Sequence, residues 1–227
     1  MNAPATAVPV VEIEPQAPVR SAVIFLHGLG SDGRELAAMV PAMLVPVERR
    51  IRWVLPSAPE RSLGIAGGER RTAWFDVGPE DLWRAETSDP AGLARADVQL
   101  RALIERELAR GVPSNRLVVG GFSQGGALAA YTALRYEKPL AGVFALSTFL
   151  ARNVHLEAES VAANRGLPAF VAHGTEDRLV PPARGRELAE RLAALGATVT
   201  QREWRMGHEI AVEELAALGA WIATRLA

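Results

Sequence analysis

The 227-residue sequence contains no cysteine. This absence excludes disulfides, thiolate zinc sites and a cysteine nucleophile, and it fits a protein that works in a reducing compartment. Lysine is scarce as well, because Lys138 is the one lysine among 25 basic residues and the others are arginine. Such a bias is typical of GC-rich bacterial genomes, so we expect a cytoplasmic bacterial protein.

An excess of charge of either sign is also lacking. The formal net charge is -1 and the pI is about 6.5, which argues against a nucleic-acid partner and against a cationic stripe for anionic lipids. With 49% hydrophobic and 22% charged residues, the composition is that of a globular protein. We find no internal repeat and no linker, so we expect one domain over residues 19–227.

The first 18 residues lack the features of a signal peptide. They contain four prolines and no basic residue, and two glutamates stand where a signal peptide would have its apolar core. We expect residues 1–18 to form a flexible N-terminal arm.

One uncharged stretch raises the question of a membrane span. Residues 117–134 carry no charge over 18 positions, which just reaches the length of a membrane-crossing helix. Four glycines, Ser123 and Gln124 interrupt the middle of this stretch, and its first part favours a strand. We therefore reject a membrane span.

The same stretch has the pattern of a nucleophile elbow. Residues 116–119 favour a buried strand, residues 127–134 favour a helix, and Gly-Phe-Ser-Gln-Gly lies between them. A strand that turns directly into a helix strains the serine backbone, and the glycines leave room for the crowded chains. The five-residue pattern alone also arises by chance in glycine-rich loops, but its frame favours Ser123 as a nucleophile. The Gln124 amide would then lie at a helix N-terminus, which stabilises a developing oxyanion.

A second glycine-rich turn follows the apolar strand predicted at Ser21–Leu26. Its sequence is His-Gly-Leu-Gly, at residues 27–30. We expect this turn at the same sheet edge as the elbow, where the Leu29 N–H becomes the second oxyanion donor. A plain glycine turn is an equally good interpretation of this fragment on its own.

Strand-like and helix-like segments alternate along the rest of the chain. Further strands are predicted at residues 51–55, 116–119, 142–146, 169–172 and 199–204. Apolar residues at three-to-four spacing predict helices that begin at Pro90 after the Asp89 cap, that end at Gly196, and that cover residues 215–226. This alternation predicts an α/β fold, a mainly parallel central sheet with helices on both faces.

The elbow requires a base, which hydrolases of this type take in the chain order serine, acid, histidine. His208 follows the strand at 199–204 and opens the final helix, so it should lie at the sheet edge that also holds Ser123. His27 precedes the serine, and His155 lies in a polar stretch with no strand before it. We therefore predict that His208 is the base.

The acid is expected after another strand at this edge. His-Gly-Thr-Glu-Asp, at residues 173–177, follows the strand predicted at 169–172. We prefer Asp177 over Glu176 as the acid. The separations along the chain leave room for a helix between each pair of catalytic residues.

Residues 56–88 break the alternation of strands and helices. This segment of 33 residues has no clear periodicity, whereas structureless loops in compact domains rarely exceed about 12–15 residues. It combines glycines with large apolar side chains, among them Trp83. A substrate-binding loop and a surface hairpin that packs its aromatic residues onto the core are equally good interpretations.

Six motifs follow one another in chain order: FLHGLGSDG, LPSAP, GGERRTAWFD, GVPSNRLVVGGFSQGGALAAYTAL, HGTEDRLVP and MGHE. In order and approximate spacing they resemble the phospholipase/carboxylesterase family of α/β-hydrolases, which includes acyl-protein thioesterases. The resemblance extends over residues 21–227. It implies an α/β-hydrolase fold with a Ser123, Asp177 and His208 triad and an oxyanion hole at Leu29 and Gln124. It also implies an acyl pocket lined by the segment 63–76, with the candidate substrate-binding residues Leu63, Ile65, Trp74 and Phe75.

The function implied is that of a serine carboxylesterase, which cleaves short- to medium-chain acyl esters through an acyl-enzyme. The alternatives are an acyl thioesterase or a lysophospholipase that uses the same triad, and a non-catalytic binding protein with this fold. No organic cofactor and no metal ion is implied, and the expected partner is a small ester or thioester. The chain lacks the N-terminal cysteine that anchors some eukaryotic members, so we expect no stable membrane anchor. A homodimer is left open.

Overall fold

A seven-stranded sheet forms the centre of the computed structural model, which describes residues 8–78, 80–81, 88–151 and 159–227. Its strands are β1 Val10–Ile13, β2 Ser21–Leu26, β3 Ile51–Pro56, β6 Leu117–Phe122, β7 Gly142–Leu146, β8 Pro168–Gly174 and β9 Thr198–Trp204. Across the sheet their order is β1-β3-β2-β6-β7-β8-β9. The pair of β1 and β3 is antiparallel and the other pairs are parallel.

The α-helices that the structure describes lie between these strands along the chain or, for the last helix, after β9. They are α1 Gly33–Met39, α2 Pro90–Ala109, α3 Gln124–Arg135, α4 Pro182–Ala194 and α5 Val212–Arg225. The predicted start of α2 is confirmed, because the Asp89 carboxylate caps the helix by accepting from the Gly92 N–H at 2.7 Å. The predicted end of α4 is confirmed too, because Gly196 has a φ of +90°, a left-handed conformation that favours glycine.

Alternate residues of each strand face two separate hydrophobic cores. In β2, Ile24 belongs to the core under α2, α3 and α4, while its neighbour Phe25 belongs to the core under α1 and α5. Both side chains are fully buried. The predicted α/β architecture, a mainly parallel sheet with helices on both faces, is confirmed.

The parallel strands bring their carboxyl ends to one edge of the sheet. Leu26 at the end of β2 pairs with Gly121 of β6, and Gly174 at the end of β8 pairs with Trp204 of β9. The loops that leave these strands therefore meet at one edge, where open α/β sheets bind their ligands.

The N-terminal segment departs from its prediction. Residues 10–13 form β1, which pairs with β3 from Val10 opposite Pro56 to Ile13 opposite Trp53. Ion pairs at 2.7 to 2.8 Å join the glutamates of this segment to arginines of β3 and α2. The prediction of a flexible arm is therefore wrong for residues 10–13. The sequence did not show this, because four residues flanked by prolines give no sign of their long-range ion-pair partners. Residues 1–7 lie outside the described part of the chain.

The segment 56–88 contains a small hairpin. Its strands, β4 Glu60–Ser62 and β5 Arg70–Thr72, are antiparallel, and the 3-10 turn Gly64–Ala66 lies between them. The aromatic residues that follow the hairpin are buried in the core. Trp83 and His155, which the sequence analysis names, lie outside the described residues.

The uncharged run 117–134 is divided between strand β6 and helix α3, as its glycines predict. Among the described residues, no helix combines the length and the apolar character needed to cross a bilayer.

Candidate active site

Ser123 lies in the sharp turn between β6 and α3. Its backbone has φ 51° and ψ -120°, a left-handed conformation that is strained for a residue with a side chain. The Ser123 N–H donates to the Leu146 carbonyl at 2.8 Å, and the Thr148 hydroxyl donates to the Ser123 carbonyl. A Cβ on Gly125 would lie 2.4 Å from the Leu26 carbonyl oxygen, so this close approach requires glycine. The predicted elbow geometry is confirmed.

Ser123, His208 and Asp177 form a continuous hydrogen-bonded relay. Ser123 Oγ lies 3.0 Å from His208 Nε2, and His208 Nδ1 lies 2.7 Å from Asp177 Oδ2. An ionised carboxylate only accepts hydrogen bonds, so Nδ1 carries the imidazole proton and Nε2 can accept the proton of the serine hydroxyl. The structure thus brings the three predicted side chains together in the geometry of a nucleophile, a base and an orienting acid.

Main-chain groups hold the Asp177 carboxylate in place. Its Oδ1 accepts from the N–H groups of Leu179 at 2.9 Å and Val180 at 2.8 Å, which leaves Oδ2 for the imidazole. The alternative acid Glu176 instead forms an ion pair on the surface. Asp177, and not Glu176, is therefore the carboxylate that contacts His208, and its role as the acid stays a prediction.

A buried histidine, His173, contacts the same carboxylate. Its Nε2 lies 2.9 Å from the Val180 carbonyl oxygen and 3.3 Å from Asp177 Oδ2, so Nε2 carries the proton. Burial lowers the pKa of His173, which keeps the ring neutral, and its Nδ1 has no hydrogen-bond partner among the described residues. Only its position at the end of a predicted strand distinguished His173 in the sequence.

The two predicted oxyanion donors border the same cavity as Ser123. Gln124 is the first residue of α3, so its N–H has no intrahelical acceptor and lies at the positive end of the helix. Leu29 lies in the turn 28–31, which the Ser31 N–H closes onto the Gly28 carbonyl at 3.3 Å. Within the described part of the chain, no backbone or side-chain acceptor for the Leu29 N–H is found. Both amides are therefore available to an oxygen bound beside Ser123.

A cavity of about 250 Å³ opens beside Ser123 and His208. Leu29 and Gln124 also border it, so the nucleophile, the base and both candidate donors share one space. Its other walls are apolar and consist of Ile65, Val77, Phe122, Phe149, Leu179 and Val180. Such a space suits an acyl chain attached to a carbonyl group that reacts at Ser123.

Comparison with known proteins shows the family of the chain. The family model described as phospholipase/carboxylesterase matches residues 7–226. The chain belongs to the phospholipase/carboxylesterase family. This is a family of serine hydrolases that act on small ester or thioester substrates.

Sequence relatives cover nearly the whole chain. Acyl-protein thioesterase 1 of Cryptococcus neoformans is 31% identical over 227 residues, which span 93% of this chain and 95% of that protein. Acyl-protein thioesterase 1 of Neurospora crassa is 34% identical over 218 residues, which span 90% of this chain and 86% of that protein.

Solved structures of similar proteins have the same fold. Arabidopsis thaliana SOBER1 superposes with a TM-score of 0.85 at 28% identity, covering 92% of this chain and all of that chain. Zea mays acyl-protein thioesterase 2 superposes with a TM-score of 0.83 at 25% identity, covering 97% of this chain and all of that chain. The α/β-hydrolase fold that the motifs imply is confirmed.

The predicted substrate-binding residues are only partly placed at the cavity of this family member. Ile65 lines it, but Leu63, Trp74 and Phe75 are buried and do not. The two aromatic side chains belong to the core under α2, α3 and α4. The prediction is therefore wrong for these three residues as cavity walls. The aromatic residues that follow the hairpin pack onto the core, as the second interpretation of this segment expects.

Five cavity residues were missed by the sequence analysis, among them Phe122, which it placed in the elbow but not in the cavity. Leu179 and Val180 directly follow Asp177 in the motif HGTEDRLVP, so their position next to the acid was a usable signal. Phe149 follows β7 at the same sheet edge, and Val77 follows the WFD motif. Apolar residues in the short loops that follow the triad acid, strand β7 and the WFD motif were therefore better candidates than the largest aromatic residues.

Cavity size alone does not locate the site. A larger depression, of about 410 Å³, lies between residues 13–17, residues 45–47 and strand β3. It borders none of the three triad side chains. The convergence of polar groups therefore identifies the smaller cavity as the candidate active site.

Proposed function

We propose that this protein is a serine carboxylesterase that cleaves short- to medium-chain acyl esters through an acyl-enzyme. The observation that carries the proposal is the relay from Ser123 through His208 to Asp177, with the serine at the mouth of an apolar cavity. Each contact has the length that proton transfer requires. Membership of a serine hydrolase family supports the same reaction class.

The first half of the reaction acylates the serine. His208 Nε2 takes the proton from Ser123 Oγ as this oxygen attacks the ester carbonyl carbon. The electron pair of the C=O bond moves to the oxygen, and the resulting anion accepts from the Leu29 and Gln124 amides. The imidazolium, paired with Asp177, then gives its proton to the departing alkoxide as the C–O bond breaks.

The second half releases the acid. Water enters where the alcohol has left, gives a proton to His208 Nε2 and attacks the acyl carbonyl carbon. A second tetrahedral intermediate uses the same two amides. Its collapse breaks the bond to Ser123 Oγ, which regains a proton from the imidazolium.

The apolar cavity supports a substrate with an acyl chain of limited length. At about 250 Å³ it is smaller than the ~300–1,000 Å³ of pockets that hold drug-sized ligands. Its apolar walls favour methylene groups of the substrate, and each fully buried methylene contributes up to about 0.8 kcal/mol of binding free energy. We therefore expect kcat/KM to rise from acetyl esters to a maximum and then stop rising.

A thioester substrate is the second candidate. The relatives from Cryptococcus neoformans and Neurospora crassa are acyl-protein thioesterases, and so is the structural neighbour from Zea mays. Oxygen and sulfur esters pass through the same tetrahedral intermediate, so the triad serves both. A panel of aryl esters, acyl thioesters and lysophospholipids, matched in acyl chain, identifies the preferred leaving group by kcat/KM.

The nucleophile is tested by labelling with a fluorophosphonate. The wild-type protein should be labelled once, and Ser123→Ala should lose both the label and about 10⁶-fold in turnover. Ser147→Ala is a matched control, because Ser147 is a buried serine at the same edge that lies outside the relay. Absence of label on the wild type would instead favour a binding protein without catalytic activity.

The acid is tested by a pair of neighbouring substitutions. Asp177→Asn keeps the shape of the side chain, but two backbone N–H groups hold the Oδ1 position, so the NH₂ group would replace Oδ2 beside the imidazole. A donor there favours the wrong tautomer of His208, so kcat should fall by about 10⁴-fold. Glu176→Gln removes only a surface ion pair and should leave kcat within twofold. The opposite ranking would show that the wrong carboxylate has been assigned.

A further inference from the structure

Trp74 connects the two segments that carry the candidate oxyanion donors, the turn after β2 and the start of helix α3. Its indole Nε1–H donates to the His27 carbonyl at 2.9 Å, and its main-chain N–H donates to Gln124 Oε1 at 2.8 Å. The nitrogen of the same side-chain amide, Gln124 Nε2, donates to the Phe75 carbonyl at 2.7 Å. The His27 turn and the start of α3 are thus joined through one buried residue.

The His27 side chain fixes the direction of the Leu29 amide. The Ala58 N–H donates to His27 Nε2 at 2.9 Å, so the ring proton is on Nδ1, which donates to the Gly28 carbonyl at 2.6 Å. In a trans peptide the C=O and N–H groups point in opposite directions. A Gly28 carbonyl held towards His27 therefore directs the Leu29 N–H away from it, and Gly28 itself lies against Ser123. Burial lowers the pKa of His27, so this donor arrangement persists in a neutral ring.

The Gln124 side chain is fixed equally tightly. It is 2% exposed, and both of its polar atoms are bonded to the main chain of residues 74 and 75. Its own backbone N–H is the candidate donor at the start of α3. A shift of the segment 74–75 would therefore move this residue together with its amide.

Trp74 itself does not touch the space in which a substrate would react. Its side chain is 1% exposed, and the cavity walls do not include it. We propose that Trp74 is a positioning residue of the oxyanion hole, which holds the His27–Leu29 turn and Gln124 at a fixed separation. This inference rests on the proposed function, since an oxyanion forms only if Ser123 attacks a carbonyl group.

The consequence should appear in the transition state and not in substrate binding. Removal of one direct oxyanion donor costs about 10²–10³-fold in kcat. Trp74 acts through other groups, so Trp74→Phe, which keeps a ring and removes the indole N–H, should lower kcat by about 10-fold with KM unchanged. Affinity for an inhibitor that forms an oxyanion should fall by the same factor.

The experiment compares Trp74→Phe with Trp53→Phe and the wild type. Trp53 is also buried, at 6% exposure, but it lies in the opposite core, and among the described residues its indole has no hydrogen-bond partner. Fluorophosphonate titration gives the active fraction of each protein, and a thermal melt gives its stability. Per active site, the measurements are kcat, KM and Ki for an alkyl trifluoromethyl ketone, whose carbonyl carbon bonds to Ser123 Oγ and whose oxygen becomes the anion.

We expect Trp74→Phe to raise this Ki about 10-fold, in step with the loss of kcat, while Trp53→Phe lowers the melting temperature without a change in Ki. An equal Ki in both variants, with only stability or active fraction reduced, would overturn the inference, because Trp74 would then be a packing residue. A rise in KM alone would overturn it as well, in favour of a substrate contact. Each of these outcomes leaves labelling of the wild type intact, whereas failure of that labelling refutes the proposed function and this inference with it.

A second variant keeps the inference testable if Trp74→Phe does not fold. Gln124→Met retains the backbone N–H of residue 124 and a side chain of similar length, but it loses both bonds to residues 74 and 75. The same joint change of kcat and Ki is expected. Unchanged values per active site would overturn the inference.

Discussion

Glu214 gives the protein an unusual dependence of stability on pH. The residue lies in the first turn of α5, its side chain is fully buried, and neither carboxylate oxygen has a hydrogen-bond partner among the described residues. Burial raises the pKa of Glu214 from 4.5 to about 8, and the nearby backbone N–H of Ala211 opposes this rise only in part. The folded protein therefore holds a proton that the unfolded chain releases above pH 4.5.

The sign and size of the effect follow from this difference. A group that binds its proton more tightly in the folded state contributes stability that is complete below pH 4.5 and is lost as the pH rises towards 8. The whole shift corresponds to about 5 kcal/mol, of which about 2 kcal/mol is lost between pH 6.5 and 8. Around and below pH 6.5 the buried His27 and His173 act in the opposite direction, because burial lowers the pKa of each ring and acid must charge it. The difference between the wild type and a variant without this carboxyl group therefore isolates Glu214.

Glu214→Gln tests this reasoning, because a neutral amide replaces the buried carboxyl group. In urea unfolding, the wild type should lose about 2 kcal/mol of unfolding free energy relative to the variant between pH 6.5 and 8. In thermal melts the same difference amounts to about 4–8 °C. Glu213→Gln is the matched control, since it makes the same substitution at an exposed neighbouring glutamate, and its stability curve should run parallel to that of the wild type. Parallel curves for Glu214→Gln would refute the assignment of a raised pKa to this residue.

Two further predictions concern a buried ion cluster and the elbow. Glu107 is fully buried and its carboxylate contacts three arginines at 2.7 to 3.2 Å, so Glu107→Ala should cost about 3–5 kcal/mol in urea unfolding. Glu137→Ala, which removes an exposed partner, should cost less than about 1 kcal/mol, and equal losses would contradict the role of burial. Gly125→Ala places a Cβ 2.4 Å from the Leu26 carbonyl, so it should cost about 3 kcal/mol and abolish labelling of Ser123. Gly64→Ala, whose nearest contact is 3.5 Å, should retain the label, and a labelled Gly125→Ala would contradict the elbow geometry.

The order of strands and helices could be predicted because it depends on local periodicity. Apolar runs of strand length and leucines at three-to-four spacing are both readable in the sequence, and the parallel sheet follows from their alternation. Strand β1 could not be predicted in this way. It is four residues long and flanked by prolines, and the ion pairs of Glu12 and Glu14 join this segment to residues 38 to 98 positions away. Such contacts exist only once the rest of the chain has folded.

The hairpin of residues 60–72 escaped prediction for a different reason. Its strands have three residues each and are largely exposed, so they show no hydrophobic alternation. The large side chains after it were the visible feature, and they suggested a wall for the substrate. In the structure the indole of Trp74 instead donates to a main-chain carbonyl and packs into the core. The sequence shows only an aromatic residue, whether that residue packs in the core or binds a substrate. The tertiary contacts alone distinguish the two cases.

The relay could be predicted where the cavity could not, because the two are built from different kinds of contact. Ser123 and Asp177 are each held by main-chain groups a few residues from a strand end, so short contiguous motifs encode their positions. The cavity walls come from separate segments of the chain, and their only shared property is an apolar side chain. For this fold, catalytic chemistry therefore depends on local backbone geometry, whereas acyl-chain preference depends on how distant loops pack. Substitutions in the cavity walls should accordingly change substrate preference without removing the reaction.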